Sequence, residues 1–418
     1  MEQKTPLTTP LRRITVIDAL RGFALLGVIL VHMNQHYGIF SFMPGGAGAS
    51  PLAAFDESVR WLNTNVLMGR FINIFAFLFG LSFFIQIDRA RQKGIDFHKR
   101  FIWRMAILFV IGFIGNCFYS GDILAIYAVF GVVLVFLSRF RNWVLVTVAA
   151  LVLCGAPRMI KVAYAKLTQT EQPAPGAQPA PRNQRAARPP VEMQEPSFAN
   201  TVKNNLTRGL EGKLNYQFGT FGRGYLTFAL FVMGLLVGRS RFFETVDTRM
   251  RRNVILFACF TAGAILVHFI VGKLSVPDMR FYMFMRPASG MPPAVLLVAA
   301  LNDIYSVLYS GALAMGFILC FHLRGIGRVL NLLSPYGRMG LTNYEMQGII
   351  GCLVFSPWAL GTIFGAWCAT ELFLLGLLIY VVQAAVSAGW LKVFVYGPFE
   401  WAWRSATYLR VQPLRKKK

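Results

Sequence analysis

The chain has 418 residues, of which 56% are hydrophobic and 14% charged, with a formal net charge of +24. An ordinary soluble chain carries roughly 25% charged residues, so this composition indicates a polytopic membrane protein and excludes a soluble globular domain. The basic residues sit in short connections between apolar runs, with no basic stripe interleaved with stacking aromatics, and nucleic acid is set aside as a partner.

Apolar runs near the ~20 residues that cross ~30 Å of hydrocarbon recur along the chain and predict an all-α bundle of about ten transmembrane helices. The expected ranges are 17–37, 66–87, 101–118, 121–138, 142–163, 219–238, 253–273, 303–322, 340–356 and 363–387. The first run is followed by no small-residue cleavage site and reads as a retained helix rather than a signal peptide. Residues 165–200 include QTEQPAPGAQPAPRNQRAARPP, have nothing to bury, and read as a disordered loop. Between the seventh and eighth spans, PPAVLLVAALN is too short to cross alone, and a re-entrant or interfacial segment is expected there.

The basic connections alternate. LRR precedes span 1, DRARQKGIDFHKR follows span 2, SRFRN span 4, RSRFFETVDTRMRRN span 6 and RGIGR span 8, and PLRKKK ends the chain, whereas YSGD and SPW carry no Lys or Arg. The positive-inside rule then places both termini in the cytoplasm. The expected division is a five-helix half at 1–164, an extracytoplasmic loop at 165–215, a second five-helix half at 216–388 and a cytoplasmic interfacial tail at 389–418. No internal repeat supports an inverted duplication. Cys117, Cys154, Cys259, Cys320, Cys352 and Cys368 show no ligand spacing and are expected to be reduced packing residues; no catalytic metal is expected.

The first span, DALRGFALLGVILVH, holds an acid, a base and an imidazole within apolar filling. Arg21 and His32 are offset by only ~20° around the helix and by ~16 Å along it, so they share a face. Asp18 lies one turn below Arg21 and His36 one turn above His32. Ionisable groups in hydrocarbon cost ~2.5 to 3.5 kcal/mol each, so this stripe is expected to look inward onto a solvated chamber common to Arg21 and His32. An ion pair of Asp18 with Arg21 and an interhelical hydrogen bond from His32 would also satisfy the stripe; an imidazole away from the interface can in addition move a proton near neutral pH.

The stretch RITVIDALRGFALLGVILVH resembles the opening of the YeiB-like family of bacterial membrane proteins, the domain of unknown function 418. GRFINIFAFLFG at 69–80, GDILAIYAVFG at 121–131, YGRMGLTNYEMQGII at 336–350 and YGPFEWAWRSATY at 396–408 agree with it. That family is similar to transmembrane acyltransferases of the acyltransferase-3 and heparan-sulfate acetyltransferase types. The acyltransferase-3 enzymes open with an Arg, ten residues and a His, a pattern that Arg21 and His32 reproduce. The resemblance implies a bacterial inner-membrane bundle that takes an acyl group from cytosolic acyl-CoA to an acceptor outside. Many YeiB-like relatives carry Asn at the position of His32, and the heparan-sulfate type uses a His further along, which makes His36 the fallback.

Other polar residues complete the expected site. Arg70 and Asp122 open spans 2 and 4 at the level of His36. Asp122 would orient the imidazole, and Arg70 would neutralise an acidic acceptor or a developing oxyanion. Asn73 shares the face of Arg70. In span 9, Asn343 and Gln347 lie four apart beside Tyr344, either bonding helix to helix or lining a donor channel, with Glu345 toward the inner side. Glu371 is read as a base, a proton-coupling carboxylate or a partner for Arg70. His268 and His322 are read as packing or interface residues. YGPFEWAWR is expected to lie at the headgroup layer, with Glu400 or Arg404 as a weaker option at the donor mouth.

The expected function is therefore transfer of an acyl group, acetyl by expectation, from acyl-CoA to a hydroxyl or amine of an envelope glycan or lipid. His32 would act as base or acyl carrier, Asp122 as its orienter, and Asp18, Arg21, Arg70, Asn73, Asn343, Tyr344, Gln347 and Glu371 would bind substrates. No cofactor is expected to be bound permanently. The partners are the bilayer, the donor and the acceptor, with a homodimer left open. The alternative is a proton-coupled small-molecule or lipid transporter without acyltransferase activity, whose path the same residues would line.

Overall fold

The computed structural model describes residues 14–39, 50–94, 97–168, 195–274, 276 and 291–416. These residues are almost wholly helical. In chain order the helices are α1 (Thr15–Asn34), α2 (Asp56–Leu62), α3 (Arg70–Gln92), α4 (His98–Phe118), α5 (Leu124–Leu137), α6 (Asn142–Leu153), α7 (Ala156–Thr168), α8 (Phe198–Asn204) and α9 (Leu210–Phe218). There follow α10 (Arg223–Arg239), α11 (Met250–Lys273), α12 (Pro293–Phe321), α13 (Ile326–Asn331), α14 (Ser334–Arg338), α15 (Gly340–Phe355), α16 (Gly361–Phe364), α17 (Ala369–Val393) and α18 (Pro398–Tyr408).

Six helices among the described residues are long and apolar enough to cross a bilayer: α1, the segment containing α3, α4, α11, α12 and α17. Two bent pairs raise the number to eight: α6 with α7, bent by 58°, and the helical segment 198–218 with α10, bent by 60°. The other two expected spans correspond to α5 and α15, of 14 and 16 residues.

Three expectations need correction. PPAVLLVAALN is not a separate re-entrant piece. It begins α12, where Pro293 at the first turn starts a continuous helix of 29 residues, roughly 43 Å long, that includes the eighth span. Residues 198–218 are helical rather than part of a 165–215 loop, because Ser197 caps α8 and the polar face of α9 turns inward. The Pro-rich stretch itself lies outside the described residues. The free cysteines are not all interior: Cys352 and Cys368 are buried, but Cys154, Cys259 and Cys320 are exposed on the bundle surface.

α1 is the axis of the bundle. Of its most apolar stretch 78% is buried, against 11% for the peripheral α11. It packs on α3, α14, α15 and α17. The approach of α14 is close enough that a Cβ on Gly337 would lie 1.8 Å from the Asp18 carbonyl oxygen, so only glycine fits. Elsewhere α3 lies along α10, α4 along α5, and α11 along α12. The amphipathic α18 rests on α4, where Trp403 Nε1 donates to the Arg104 carbonyl at 2.9 Å.

Candidate functional site

α1 ends in a turn where His36, Tyr37 and Gly38 all take positive φ, which folds Tyr37 back beneath the helix. His32, half-buried in the last turn, meets Tyr119 from the turn after α4: its Nδ1 lies 2.9 Å from Tyr119 Oη. Tyr37 stands edge-on to Tyr119 with ring centroids 5.0 Å apart, and its ring is 5.3 Å from that of His32. This aromatic clamp fixes the plane of the imidazole. The orienting bond therefore comes from Tyr119, not from Asp122. The Asp122 Oδ1 instead accepts the Leu124 backbone N–H at 2.9 Å, at the first residue of α5.

Asp122 nevertheless shares a small cavity with His32, Tyr37, Tyr119, Glu345 and Gln347. Its volume, about 10 Å³, is that of a single water site. Glu345 is 5% exposed and lies at this end of the bundle, not on the side expected for it. Gly115 makes the room, since a Cβ there would meet Glu345 Oε2 at 2.5 Å. Lys213 of α9 enters beside it and donates from Nζ to Asn116 Oδ1 at 2.9 Å.

His32 also lines a larger cavity of about 720 Å³, together with Gln35, Arg70, Tyr119, Lys213 and Arg223. The Arg70 guanidinium sits 5.4 and 5.6 Å from the ring centroids of Tyr305 and Tyr309, and its Nη1 donates to the Met68 carbonyl at 2.6 Å. Arg223 Nη2 donates to Asn73 Oδ1 at 2.6 Å and to the Gly69 carbonyl at 2.8 Å. Asn73 in turn donates to Ser306 and Ser310 at 3.0 and 3.1 Å, which fixes its oxygen toward Arg223. Lys213 and Arg223 escape sequence reasoning, the first because it stands in a stretch read as loop, the second because it resembles an ordinary helix-end cation.

The other polar group of α1 opens elsewhere. Arg21 Nη1 donates to Asp18 at 2.9 Å and Nη2 to Ser82 at 2.6 Å. Arg21 lines a cavity of about 250 Å³ with Gln86, Arg104, Arg338, Glu400 and Trp403. Arg104 stacks 3.5 Å from the centre of the Trp403 ring. Glu400 accepts the Leu341 and Thr342 N–H groups at 2.7 and 3.0 Å and Thr342 Oγ1 at 2.6 Å. Burial raises the pKa of this carboxyl above its ordinary value, although these donors oppose the shift.

Arg21 and His32 thus face separate cavities rather than a common chamber. Between them lies an aromatic layer in which Phe75 stacks on Tyr344 and Tyr127, with centroids 6.0 and 6.1 Å apart. Tyr344 borders the cavity at the Arg21 end and the small cavity beside His32. Its Oη accepts the Ile123 N–H at 3.2 Å, which ties α15 to the turn before α5.

The remaining expected residues bind the bundle together. Asn343 donates to Ser387 Oγ and the Tyr336 carbonyl, both at 3.0 Å, and Gln347 donates to Tyr336 Oη at 2.8 Å. Glu371 accepts the Cys368 N–H at 2.9 Å and Ser50 Oγ at 2.7 Å, a helix cap rather than a partner for Arg70. His36 lies edge-on to Phe355 at 4.9 Å and is absent from both cavities that His32 lines. His322 has an acidic companion in space, since its Nε2 is 2.8 Å from Asp247. His268 stands 5.5 Å from the Tyr305 ring.

Residues 237–410 match the family model described as "Protein of unknown function (DUF418)". The chain is 26% identical to "Uncharacterized protein YxaH" of Bacillus subtilis (strain 168) over 424 residues, covering 97% of this chain and 96% of that one. It is 26% identical to "Uncharacterized 39.9 kDa protein in amylase 3'region" of Bacillus acidopullulyticus over 419 residues, 97% of each. No solved structure matches. Neither the family description nor these names mention acyl transfer; the resemblance to acyltransferases rests on the Arg21 to His32 pattern alone.

Proposed function

We propose that this membrane protein, whose residues 237–410 match the family model described as protein of unknown function DUF418, is an acyltransferase with its reacting centre at His32. The observation that carries the reading is the imidazole held by Tyr119 on the wall of a roomy polar cavity, across one aromatic layer from a second cavity that contains Arg21. Pocket volumes of this size suit small molecules.

In this reading the donor is a cytosolic acyl thioester that enters from the Arg21 end, and the acceptor enters the His32 cavity from outside. His32 takes the proton of the acceptor hydroxyl as its oxygen bonds to the thioester carbonyl carbon. The C–S bond then breaks, and the departing thiolate receives that proton. Tyr119 keeps the imidazole in the orientation this exchange needs. The Phe75, Tyr127 and Tyr344 layer separates the compartments and would be the passage for the acyl group. The orientation follows from the basic connections, in a bacterial cytoplasmic membrane.

The test is purified protein given labelled acetyl-CoA, read as CoA release and label on an acceptor. Transfer that is lost in His32→Ala supports the reading. Absence of CoA binding and release favours the second reading, a transporter, which the closed layer between two opposed cavities also suits. Flux of a labelled solute across proteoliposomes, without chemical change, would identify it.

A further inference from the structure

The cavity of about 720 Å³ at the His32 end is lined by Arg70, Lys213 and Arg223, and among the described residues that line it there is no Asp or Glu. Each of the three cations is held by neutral oxygens: Arg70 by the Met68 carbonyl, Lys213 by Asn116 Oδ1, and Arg223 by the Gly69 carbonyl and Asn73 Oδ1. Neutral acceptors orient a cation without cancelling its charge. Lys213 has Asp122 and Glu345 behind it, in electrostatic reach from the adjoining small cavity. Neither guanidinium makes an ion pair among the described residues; the carboxylate in reach of Arg223 is Asp303, which pairs with Arg158 at 2.5 Å.

Helix ends add to the field. Arg70 opens α3 and Arg223 opens α10, helices of 23 and 17 residues, and neither has a side-chain cap at its N-terminus. Both first turns carry partial positive charge beside the cavity. Nor does topology explain these cations, because the positive-inside rule concentrates Lys and Arg at the opposite end of the bundle. Lys213 is buried and Arg70 and Arg223 are half-buried, and holding cations near hydrocarbon is costly unless an anion completes them. Arginine forks match the oxygens of phosphate in pairs.

We infer that this cavity binds a phosphate ester through Arg70 and Arg223, with Lys213 as a third cation, so that the acceptor is an anionic molecule. This rests on the reading of the His32 cavity as the acceptor chamber. The phosphate belongs either to a lipid headgroup that enters from the outer leaflet or to a soluble molecule outside the membrane.

The test uses the full-length protein without any acyl donor. Glycerol phosphate is titrated against detergent-purified protein, with glycerol as the neutral control. In a second arm, phosphatidylglycerol retention from mixed nanodiscs is measured against diacylglycerol, which has the same acyl chains and no phosphate, by native mass spectrometry. The expected result is retention of at least one phosphate ester over its control, with affinity lowered at least about tenfold in Arg70→Gln and in Arg223→Gln. Arg223→Lys should keep part of the affinity, and Arg241→Gln, at an exposed ion pair on the surface, all of it. Retention of the lipid alone or of the soluble ester alone names the source.

Equal retention of neutral analogues, retention of neither ester, or unchanged affinity in folded Arg70→Gln and Arg223→Gln would overturn the inference. Because no donor is present, failure of acyl transfer leaves this outcome intact. Acyl transfer to a neutral acceptor with no anion binding would overturn this inference alone.

Discussion

The two ends of α1 use the same residue types to opposite effect. At the Arg21 end the cation is paired with Asp18, Arg104 lies on Trp403, and Glu400 is consumed as a helix cap around a cavity of about 250 Å³. At the His32 end Arg70 and Arg223 are oriented by neutral oxygens around a cavity of about 720 Å³. An internally paired cation is part of the scaffold, while a cation positioned by carbonyls keeps its field for something else. Charge count along the sequence does not separate these cases; pairing does.

The comparison breaks most decisively at His32. His32→Ala should lower CoA release from labelled acetyl-CoA by about a hundredfold or more, the scale of a lost general base. Equal rates in variant and wild type would remove the chemistry from that end. Next in size is a pair of glycines. Gly337→Ala places a methyl 1.8 Å from a backbone oxygen at the Arg21 end and should cost about 1–3 kcal/mol, read as a lower melting temperature. Gly212→Ala borders the larger cavity, meets nothing within 4 Å, and should melt as the wild type does or slightly higher. Equal losses in both would deny that the Arg21 end is the tightly packed one.

Tyr119→Phe keeps the ring and removes one hydrogen bond from His32. A loss of about tenfold or less in transfer rate is expected, with melting nearly unchanged, in line with about 0.5–1.5 kcal/mol for such a bond. A variant as slow as His32→Ala would instead make the phenol itself part of the chemistry. The smallest effect concerns pH at the Arg21 end. Burial raises the Glu400 carboxyl, so the folded protein holds a proton there that the unfolded chain has released. Its contribution to stability is complete below the ordinary value of 4.5 and is lost as pH rises through the raised folded value. Glu400→Gln should flatten that part of the stability curve, and an unchanged curve would assign the slope elsewhere.

Much of the fold was legible because bilayer-length apolar runs have few structural solutions. The polar stripe on α1 was equally legible, since helical periodicity puts Arg21 and His32 on one face wherever the helix sits. Short segments were harder. PPAVLLVAALN looks isolated by composition, yet helix continuation through Asn302 and Asp303 is cheaper than exposing backbone groups, and Asp303 finds Arg158. Glu345 was assigned to the wrong end because its side chain follows a space opened by Gly115, a contact across 230 positions that no local pattern records.

The sequence by itself determined an all-helical membrane bundle and a first helix with polar groups along one face, because both follow from local periodicity and the cost of bare peptide groups in hydrocarbon. Only the tertiary structure decided that this face opens to two cavities divided by Phe75, Tyr127 and Tyr344, that Tyr119 rather than Asp122 holds His32, and that Lys213 and Arg223 join Arg70. Those are contacts between distant segments, fixed by how side-chain volumes fill the space between helices, and each is invisible until the helices have packed.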